Sequence, residues 1–256
     1  MDVVVTSPPY NIGIPYRSYD DRRPRAEYIG WIGRVAEELA NCLAESGSFF
    51  LNVGAPPKDP WLAWDVAREV GRRFVLQNVF HWVKSIAIDR ESAGKQAGLD
   101  RDLALGHYKP VGSRRFVHSA HEYVFHFTHS GEVELDRLAV GVAYQDKTNI
   151  GRWGRAERDL RCRGNTWFLP YDTIQKRSAD RPHPASFPPA LVERCVRLHG
   201  LTATRLLIDP FVGIGSSAVA AARLGVPFVG FDIDEGYLAV ARDRVARDMA
   251  ISGGKA

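Results

Sequence analysis

The segment from Leu206 to Asp232 constrains the fold more strongly than any other part of this chain. The apolar run Leu206–Ile208 is typical of a central strand in a parallel sheet. The pattern from Ser216 to Leu224 predicts a helix that ends at Gly225, and Phe228–Phe231 predicts a second buried strand. Because consecutive parallel strands need a crossover helix, this unit predicts an α/β fold with a mostly parallel sheet.

Strands and helices alternate along the rest of the chain as well. The predicted strands are Val3–Val5, Ser48–Val53, Val75–Val83 and Glu122–Thr128, and the predicted helices are Glu27–Glu45, Trp61–Arg72, Pro188–Leu198 and Tyr237–Met249. This alternation predicts a doubly wound sheet with helices on both faces. Residues 87–119 are predicted to form an irregular polar loop, and residues 131–182 have only weak periodicity.

The loop between the first strand and the helix of the Leu206–Asp232 unit has the composition of a nucleoside-binding site. It reads Asp209-Pro210-Phe211-Val212-Gly213-Ile214-Gly215-Ser216. Glycines let a backbone approach a ligand closely, and the start of the helix offers unpaired N–H groups. Asp232 ends the next strand, where a carboxylate can accept hydrogen bonds from ribose hydroxyls.

Two classes of cofactor fit this loop. Gly213-x-Gly215-x-x-Ala218 also satisfies the dinucleotide fingerprint, so a nicotinamide cofactor is one interpretation. Asp209 favours the other class, because a carboxylate at the strand end would repel a pyrophosphate and attract an ammonium or sulfonium cation. S-adenosyl-L-methionine carries such cations, and it is the cofactor that we predict.

A second motif, Thr6-Ser7-Pro8-Pro9-Tyr10, follows the apolar run Val3–Val5. Proline cannot continue a central strand, and it restricts the residue before it to extended geometry. The chain therefore leaves the sheet in a stiff loop that carries a hydroxyl, acceptor carbonyls and an aromatic ring. These groups suit a flat ligand with an amino group on its edge; the alternative is a simple strand end with a Pro-Pro turn.

Composition argues against several classes of protein. Cys42, Cys162 and Cys195 are odd in number and far apart, which argues against a disulfide framework and indicates a reducing compartment. No apolar run reaches the length of a membrane span and no signal-peptide pattern is present, so we expect a cytoplasmic protein with no membrane partner. The formal net charge of +4 permits nucleic-acid binding without requiring it.

Together, the Ser-Pro-Pro-Tyr and Asp-Pro-Phe-x-Gly-x-Gly-Ser motifs resemble those of DNA methyltransferases that modify amino groups, and their order resembles the β group. Further segments that resemble this family are Trp82–Lys84, His121–Phe125, Gly164–Trp167 and His183–Pro188. The resemblance implies a Rossmann-like domain that depends on S-adenosyl-L-methionine. It implies a catalytic half over residues 1–130, with residues 86–120 at the DNA, an inserted target-recognition region over 131–180, and a cofactor-binding half over 181–256.

The resemblance also implies roles for individual residues. Ser7, Pro8, Pro9 and Tyr10 form the catalytic motif, in which Tyr10 stacks on a flipped base while the Ser7 oxygen and the Pro8 carbonyl accept the N–H groups of its amine. Serine in this motif is mostly associated with N4 of cytosine and aspartate with N6 of adenine, so the predicted activity is N4-cytosine methylation. No metal ion is implied. The implied cofactor residues are Asp209, Pro210, Phe211, Gly213, Gly215, Ser216, Ser217, Asp232, His183 and Phe187.

The predicted partners are duplex DNA, a cognate restriction endonuclease and a second copy of the chain. Candidate DNA contacts are Lys109, Arg114, Arg115, Arg152, Arg155, Arg161 and Arg163. Arginine suits both phosphate clamping and guanine reading, and a solvated surface balanced by Glu157 and Asp159 is the alternative. Trp61 and Trp64 are candidates for a dimer contact, but we expect them in the core.

Several alternatives stay open at this point. The same fold can modify N6 of adenine, the glycine loop can serve a nicotinamide oxidoreductase, and a DNA-binding protein can retain a decayed active site. A metal interpretation of His118, His121, His126 and His129 is disfavoured, because strand alternation points His121 and His126 to opposite faces. Relatives usually carry a Gly-Asp turn before the first motif, near the cofactor adenine; we expect adenine binding here to be weaker or completed by other residues.

Overall fold

The computed structural model describes residues 1–94, 98–106, 108, 111–150, 152, 159–170 and 186–253. The strands in these ranges are β1 (Val3–Thr6), β2 (Ser48–Val53), β3 (Val75–Val83), β4 (Ser85–Ile88), β5 (Leu103–Gly106), β6 (His121–Thr128), β7 (Thr166–Phe168), β8 (Leu207–Asp209) and β9 (Phe228–Gly230). The α-helices are α1 (Arg25–Cys42), α2 (Leu62–Val70), the single turn α3 (Arg90–Ala93), α4 (Pro189–His199), α5 (Ser216–Leu224) and α6 (Glu235–Gly253). Within these ranges, no helix is long and apolar enough to cross a bilayer.

Seven strands form one sheet in the order β7-β3-β6-β2-β1-β8-β9. β1 pairs in parallel with β2 and β8, β8 with β9, and β3 with β7, whereas β6 runs antiparallel to both of its neighbours. The predicted mostly parallel sheet is therefore confirmed, with β6 as its reversed strand. The apolar pattern of β6 does not indicate the reversal, because a strand buried on both faces has the same hydrophobic run in either direction.

The stretch predicted to be irregular, residues 87–119, contains part of a short hairpin. β4 and β5 form a separate antiparallel pair, with Ile86 opposite Leu105 and Ile88 opposite Leu103. The prediction was wrong here because each strand has four residues and most of their side chains are partly or fully exposed. Such strands leave almost no hydrophobic pattern in the sequence.

The valines of β1 form an unbroken apolar run because helices cover both faces of the sheet. Val3 and Val5 belong to a buried cluster with Leu191 of α4, while Val4 belongs to a second cluster with Ile32 of α1. Successive side chains of a strand point to opposite faces, so only a sheet covered on both faces buries all three valines. This is the doubly wound arrangement that the alternation of strands and helices predicts.

The centre of the sheet brings the two sequence motifs side by side. β1 continues through α1 to β2 on one side, whereas β8 continues through α5 to β9 on the other side. The loops after these adjacent strands therefore diverge and leave a crevice, which is where open α/β sheets bind ligands. The loop Ser7–Tyr10 follows β1 and the loop Pro210–Gly215 follows β8, so both begin at this crevice.

A chain of polar side chains crosses the core and explains the position of one predicted histidine. Asn78 Nδ2 lies 3.1 Å from His126 Nδ1, and His126 Nε2 lies 3.0 Å from Ser48 Oγ. Ser48 Oγ also lies 2.9 Å from Nδ1 of His199. Because an amide nitrogen can only donate, the proton of neutral His126 belongs on Nε2, from which it reaches Ser48. His126 is fully buried and stacks on Phe50, as a core residue does.

We expect His126 to make the protein sensitive to acid. Burial lowers the pKa of His126 from its usual 6.5 to about 3. Between these values the unfolded chain binds more protons than the folded one, so stability is present above pH 6.5 and is lost as the pH falls. At pH 5 the loss from this residue is about 2 kcal/mol. Urea unfolding at pH 7 and pH 5 measures the loss, and His126→Gln should shrink the difference; an unchanged difference would contradict the assignment.

The two tryptophans at the start of α2 differ in exposure. Trp61 is 66% exposed, whereas Trp64 is 36% exposed and makes edge contacts with Tyr123 and Phe125. The expectation that both lie in the core is therefore wrong for Trp61. It caps the first turn of α2 from outside the helix, so it does not share the buried face that Leu62 and Val66 contribute.

Candidate active site

Asp209 lies at the end of β8 and joins the two motifs. Its side chain is fully buried, and its two oxygens accept hydrogen bonds from Thr6 Oγ1 and Ser217 Oγ. The backbone N–H of Phe211 also donates to it, at 3.0 Å. Burial raises the pKa of Asp209 to about 6, and the bonds from Ser217 and Thr6 oppose that rise. These contacts hold the end of β1, the end of β8 and the start of α5 together.

Asp232 performs a similar task at the end of β9. Its Oδ2 accepts from the N–H of Gly213 at 3.0 Å, and its Oδ1 accepts from the N–H of Asp234 at 2.8 Å. The carboxylate thus ties the glycine loop to the neighbouring strand. A carboxylate oxygen has two lone pairs, so each oxygen keeps one for a ligand.

Gly215 has a packing role in addition to the predicted backbone access. Its φ is +84°, a left-handed conformation that favours glycine. A Cβ at this position would lie 2.7 Å from Cβ of Ala241, so α6 packs directly on the glycine loop. The spacing of the motif therefore reflects helix packing as well as space for a ligand.

Aromatic and aliphatic surface borders the crevice. The ring of Phe211 packs edge-to-face on Trp31 at 5.3 Å between centroids. Phe231 and Ile233, on either side of Asp232, are 56% and 70% exposed. Phe187 is buried in the core cluster of α4, and the predicted cofactor residue His183 lies outside the described residues.

The Ser-Pro-Pro-Tyr loop is fixed by contacts at both ends. Thr6 is held on Asp209, and Tyr28 of α1 donates through its hydroxyl to the Pro9 carbonyl at 2.9 Å. Ser7 Oγ lies 2.8 Å from the hydroxyl of Tyr10. The predicted stiffness of this loop thus has a tertiary cause as well as two prolines.

Three further side chains gather around the hydroxyl of Tyr10. Glu122 Oε2 lies 3.0 Å from it and Asn52 Oδ1 lies 3.3 Å from it. Lys84 Nζ forms an ion pair with Glu122 Oε1 at 2.9 Å, and both side chains are less than a fifth exposed. A Cβ on Gly54 would lie 2.9 Å from the Tyr10 ring, so Gly54 leaves room for it. Polar residues inside apolar strands were the available signal for this cluster, and only Lys84 and Glu122 lie in segments that resemble the family.

The loop over residues 11–23 links the catalytic and cofactor motifs, and sequence reasoning missed it. The buried carboxylate of Asp21 accepts hydrogen bonds from four consecutive backbone N–H groups, those of Asn11 to Ile14. Ser18 Oγ donates to Asp234 Oδ2 at 2.9 Å. The loop therefore begins at Tyr10 and is attached beside Asp232.

The predicted DNA contacts lie on the surface wherever the structure describes them. Exposed members of this set are Arg114, Arg115, Arg152, Arg161 and Arg163. Lys109 and Arg155 lie outside the described residues. The Nε group of Arg163 donates to the carbonyl of Val140 at 2.8 Å, so this side chain supports its own loop. A role at DNA stays a prediction for all of them.

Comparison with known proteins gives one family and several relatives. A profile of a family described as DNA methylase matches residues 1–243. Type II methyltransferase M.BglII of Bacillus subtilis is 28% identical over 247 residues, which cover 94% of this chain and 62% of that protein. Type II methyltransferase M.ScaI of Streptomyces caespitosus is 26% identical over 262 residues, which cover 95% of this chain and 74% of that protein. The chain therefore spans less than two thirds of the length of M.BglII.

Solved structures share the fold. PvuII DNA methyltransferase, which is cytosine-N4-specific, matches with a TM-score of 0.64 at 17% identity, over 94% of this chain and 78% of that chain. A DNA modification methylase from Thermus thermophilus, complexed with S-adenosyl-L-methionine, matches with a TM-score of 0.55 at 21% identity, over 96% of this chain and 86% of that chain. At these identities the likeness bears on the fold, and it confirms the predicted fold class.

Proposed function

Because this chain belongs to the N6/N4 DNA methylase family, whose profile spans residues 1–243, we propose that it methylates the exocyclic N4 of cytosine at a specific site in duplex DNA. The observation that carries the proposal is the contact between Thr6 and buried Asp209, which joins the Ser-Pro-Pro-Tyr loop to the cofactor loop. M.BglII and M.ScaI are type II methyltransferases. Their similarity supports a restriction-modification role in the cytoplasm, with a cognate endonuclease as partner.

The crevice fits S-adenosyl-L-methionine, the methyl donor of this family. Asp209 is a buried carboxylate that would hold the ammonium group, and Asp232 has an acceptor on each oxygen for the ribose hydroxyls. Phe211 and the exposed Ile233 supply apolar surface for the rest of the molecule. When bound, S-adenosyl-L-methionine supplies a methyl group on an electrophilic sulfonium centre.

The chain's own residues prepare the target amine. A base inside a duplex is out of reach, so the cytosine must leave the stack, and the ring of Tyr10 offers a surface on which it can lie. The amine is a poor nucleophile because its lone pair is delocalised into the base. If Ser7 Oγ and the Pro8 carbonyl accept its two N–H groups, the nitrogen becomes pyramidal and its lone pair turns towards the methyl group. Positioning then supplies most of the catalysis, with no covalent intermediate.

Methylation of adenine N6 is the second candidate, since the family modifies both bases. Ser7 favours cytosine, because aspartate is the usual residue at this position of the motif in adenine enzymes. The cytosine-N4-specific PvuII enzyme among the structural relatives supports the same choice. A nicotinamide oxidoreductase is disfavoured, because buried Asp209 would face the pyrophosphate.

We expect the purified protein to produce N4-methylcytosine. The test incubates duplex DNA with S-adenosyl-L-methionine carrying a labelled methyl group, digests the DNA to nucleosides and identifies the product by mass. A Ser7→Ala variant is the control, because it should bind the cofactor and form little product. N6-methyladenine as the product would overturn the choice of base, and NADH binding without methyl transfer would overturn the proposal as a whole.

Target recognition is assigned to residues 131–180, with exposed Arg114, Arg115, Arg152 and Arg161 as candidate DNA contacts. Arginine side chains there would bind phosphates or read guanine in the major groove. Exposed Trp61 is a candidate for a contact between two copies of the chain.

A further inference from the structure

The hydroxyl of Tyr10 lies at the centre of a largely buried hydrogen-bonded cluster whose members have fixed roles as donors or acceptors. Ser7 Oγ, Glu122 Oε2 and Asn52 Oδ1 lie 2.8, 3.0 and 3.3 Å from it. Glu122 also binds Lys84, an ammonium group that can only donate. The cluster therefore joins Ser7 of the catalytic loop to side chains on β2 and β6 and to Lys84, which directly follows β3.

The direction of each hydrogen bond follows from these roles. A carboxylate accepts only, so Glu122 accepts from both Lys84 and Tyr10. Asn52 uses its Nδ2 to donate to the Tyr123 carbonyl at 3.0 Å, so its Oδ1 faces Tyr10 as an acceptor as well. The single hydrogen of the Tyr10 hydroxyl therefore goes to Glu122 or Asn52. Glu122 is favoured, because it is closer and its bond is assisted by charge.

Ser7 must then be the donor in its bond with Tyr10. With its own hydrogen committed to Glu122, the Tyr10 oxygen can only accept from the Ser7 hydroxyl. The hydrogen of Ser7 is thereby turned towards Tyr10, and the lone pairs of Ser7 Oγ remain available on its other side. A serine held in this way offers an acceptor, and no donor, to any group that approaches from the crevice.

We propose that Glu122 is a positioning residue that acts through Tyr10 to hold the Ser7 hydroxyl as a hydrogen-bond acceptor for the target amine. This inference rests on the proposed function. An unconstrained serine hydroxyl could instead donate to the amine nitrogen and occupy the lone pair that must attack the methyl group. Lys84 holds the Glu122 carboxylate in place by charge, at 2.9 Å.

The first test is Glu122→Gln. Lys84 will take the amide oxygen, since it cannot accept, and the amide N–H will then compete with Ser7 for the Tyr10 oxygen. We expect kcat for DNA methylation to fall about tenfold, as is common when a supporting hydrogen bond to a reacting group is lost. KM for DNA and the Kd of the cofactor should be unchanged. Glu132→Gln is the matched control, because it makes the same change at an exposed position beyond the opposite end of β6.

Tyr10→Phe is the second variant, and it keeps the ring while it removes the hydroxyl. It should lower kcat by about 10- to 100-fold, and adding Glu122→Gln to it should have no further effect. The decisive background is Ser7→Ala, in which Glu122→Gln should leave the residual rate unchanged because the hydroxyl it positions is gone. A loss that is merely structural would persist in that background.

The outcomes separate this inference from the proposed function. If the wild-type chain transfers no methyl group to DNA, the proposed function fails. If the wild type is active and Glu122→Gln keeps the wild-type kcat, the positioning role is overturned. A tenfold loss that recurs unchanged in the Ser7→Ala background would also overturn it, because the effect would not pass through Ser7.

Discussion

Asp209→Asn should weaken the binding of S-adenosyl-L-methionine by about 100-fold, the scale expected when a buried charged partner is lost. The carboxylate is fully buried at the end of β8, so water screens little of its attraction for an ammonium group. Asparagine keeps an oxygen for Thr6 and the Phe211 N–H, and the Ser217 hydroxyl can rotate to accept from the new amide. The variant should therefore fold. Isothermal titration calorimetry measures the loss of affinity.

The pH dependence of binding identifies the charge as the cause. Because burial raises the pKa of Asp209 to about 6, the free protein takes up a proton on this residue below that pH. Cofactor affinity should then fall up to about tenfold for each further pH unit, since only the ionised form attracts a cation. Asp209→Asn should remove this dependence, whereas Asp243→Asn, an exposed change in α6, should retain it. Equal pH profiles for wild type and Asp209→Asn would contradict the assignment.

Ser7→Ala should lower kcat by about 100- to 1000-fold, the scale found when one preorganised hydrogen-bonding group facing a reacting centre is removed. Cofactor affinity should not change, because Thr6 and Asp209 hold the end of β1 without the Ser7 hydroxyl. Single-turnover measurement of methyl transfer gives the rate, and calorimetry gives the affinity. Ser130→Ala, an exposed serine after β6, is the matched control. A Ser7→Ala enzyme that keeps its rate would remove Ser7 from the mechanism.

Local patterns in the sequence carry much information about this fold. The predicted strand Val75–Val83 and helix Ser216–Leu224 match the observed elements residue for residue, because regular burial leaves a regular apolar pattern. The hairpin β4–β5 lacks such a pattern and was missed. The two catalytic motifs were also legible, since proline and glycine impose local geometry wherever they stand. The predicted family membership is confirmed by the profile over residues 1–243.

The contacts that make a site of these motifs could not be predicted in the same way. Thr6 and Asp209 are 203 positions apart in the chain, and Tyr10 and Glu122 are 112 apart. Their proximity depends on the order of the strands and on the reversed direction of β6, which brings its first residues to the edge where β1 and β2 end. A list of apolar and polar positions contains neither the order nor the direction.

The sequence by itself determined the α/β class, the strand–loop–helix unit at Leu206–Gly225 and the chemical groups that the chain presents at its strand ends. The tertiary structure alone decided that Glu122 and Lys84 surround Tyr10, that Asp209 is buried against Thr6, and that Trp61 stays exposed. The physical reason is that secondary structure follows from the periodic burial of neighbouring residues. Partners across a sheet are instead selected by the packing of the whole chain, which no local pattern encodes.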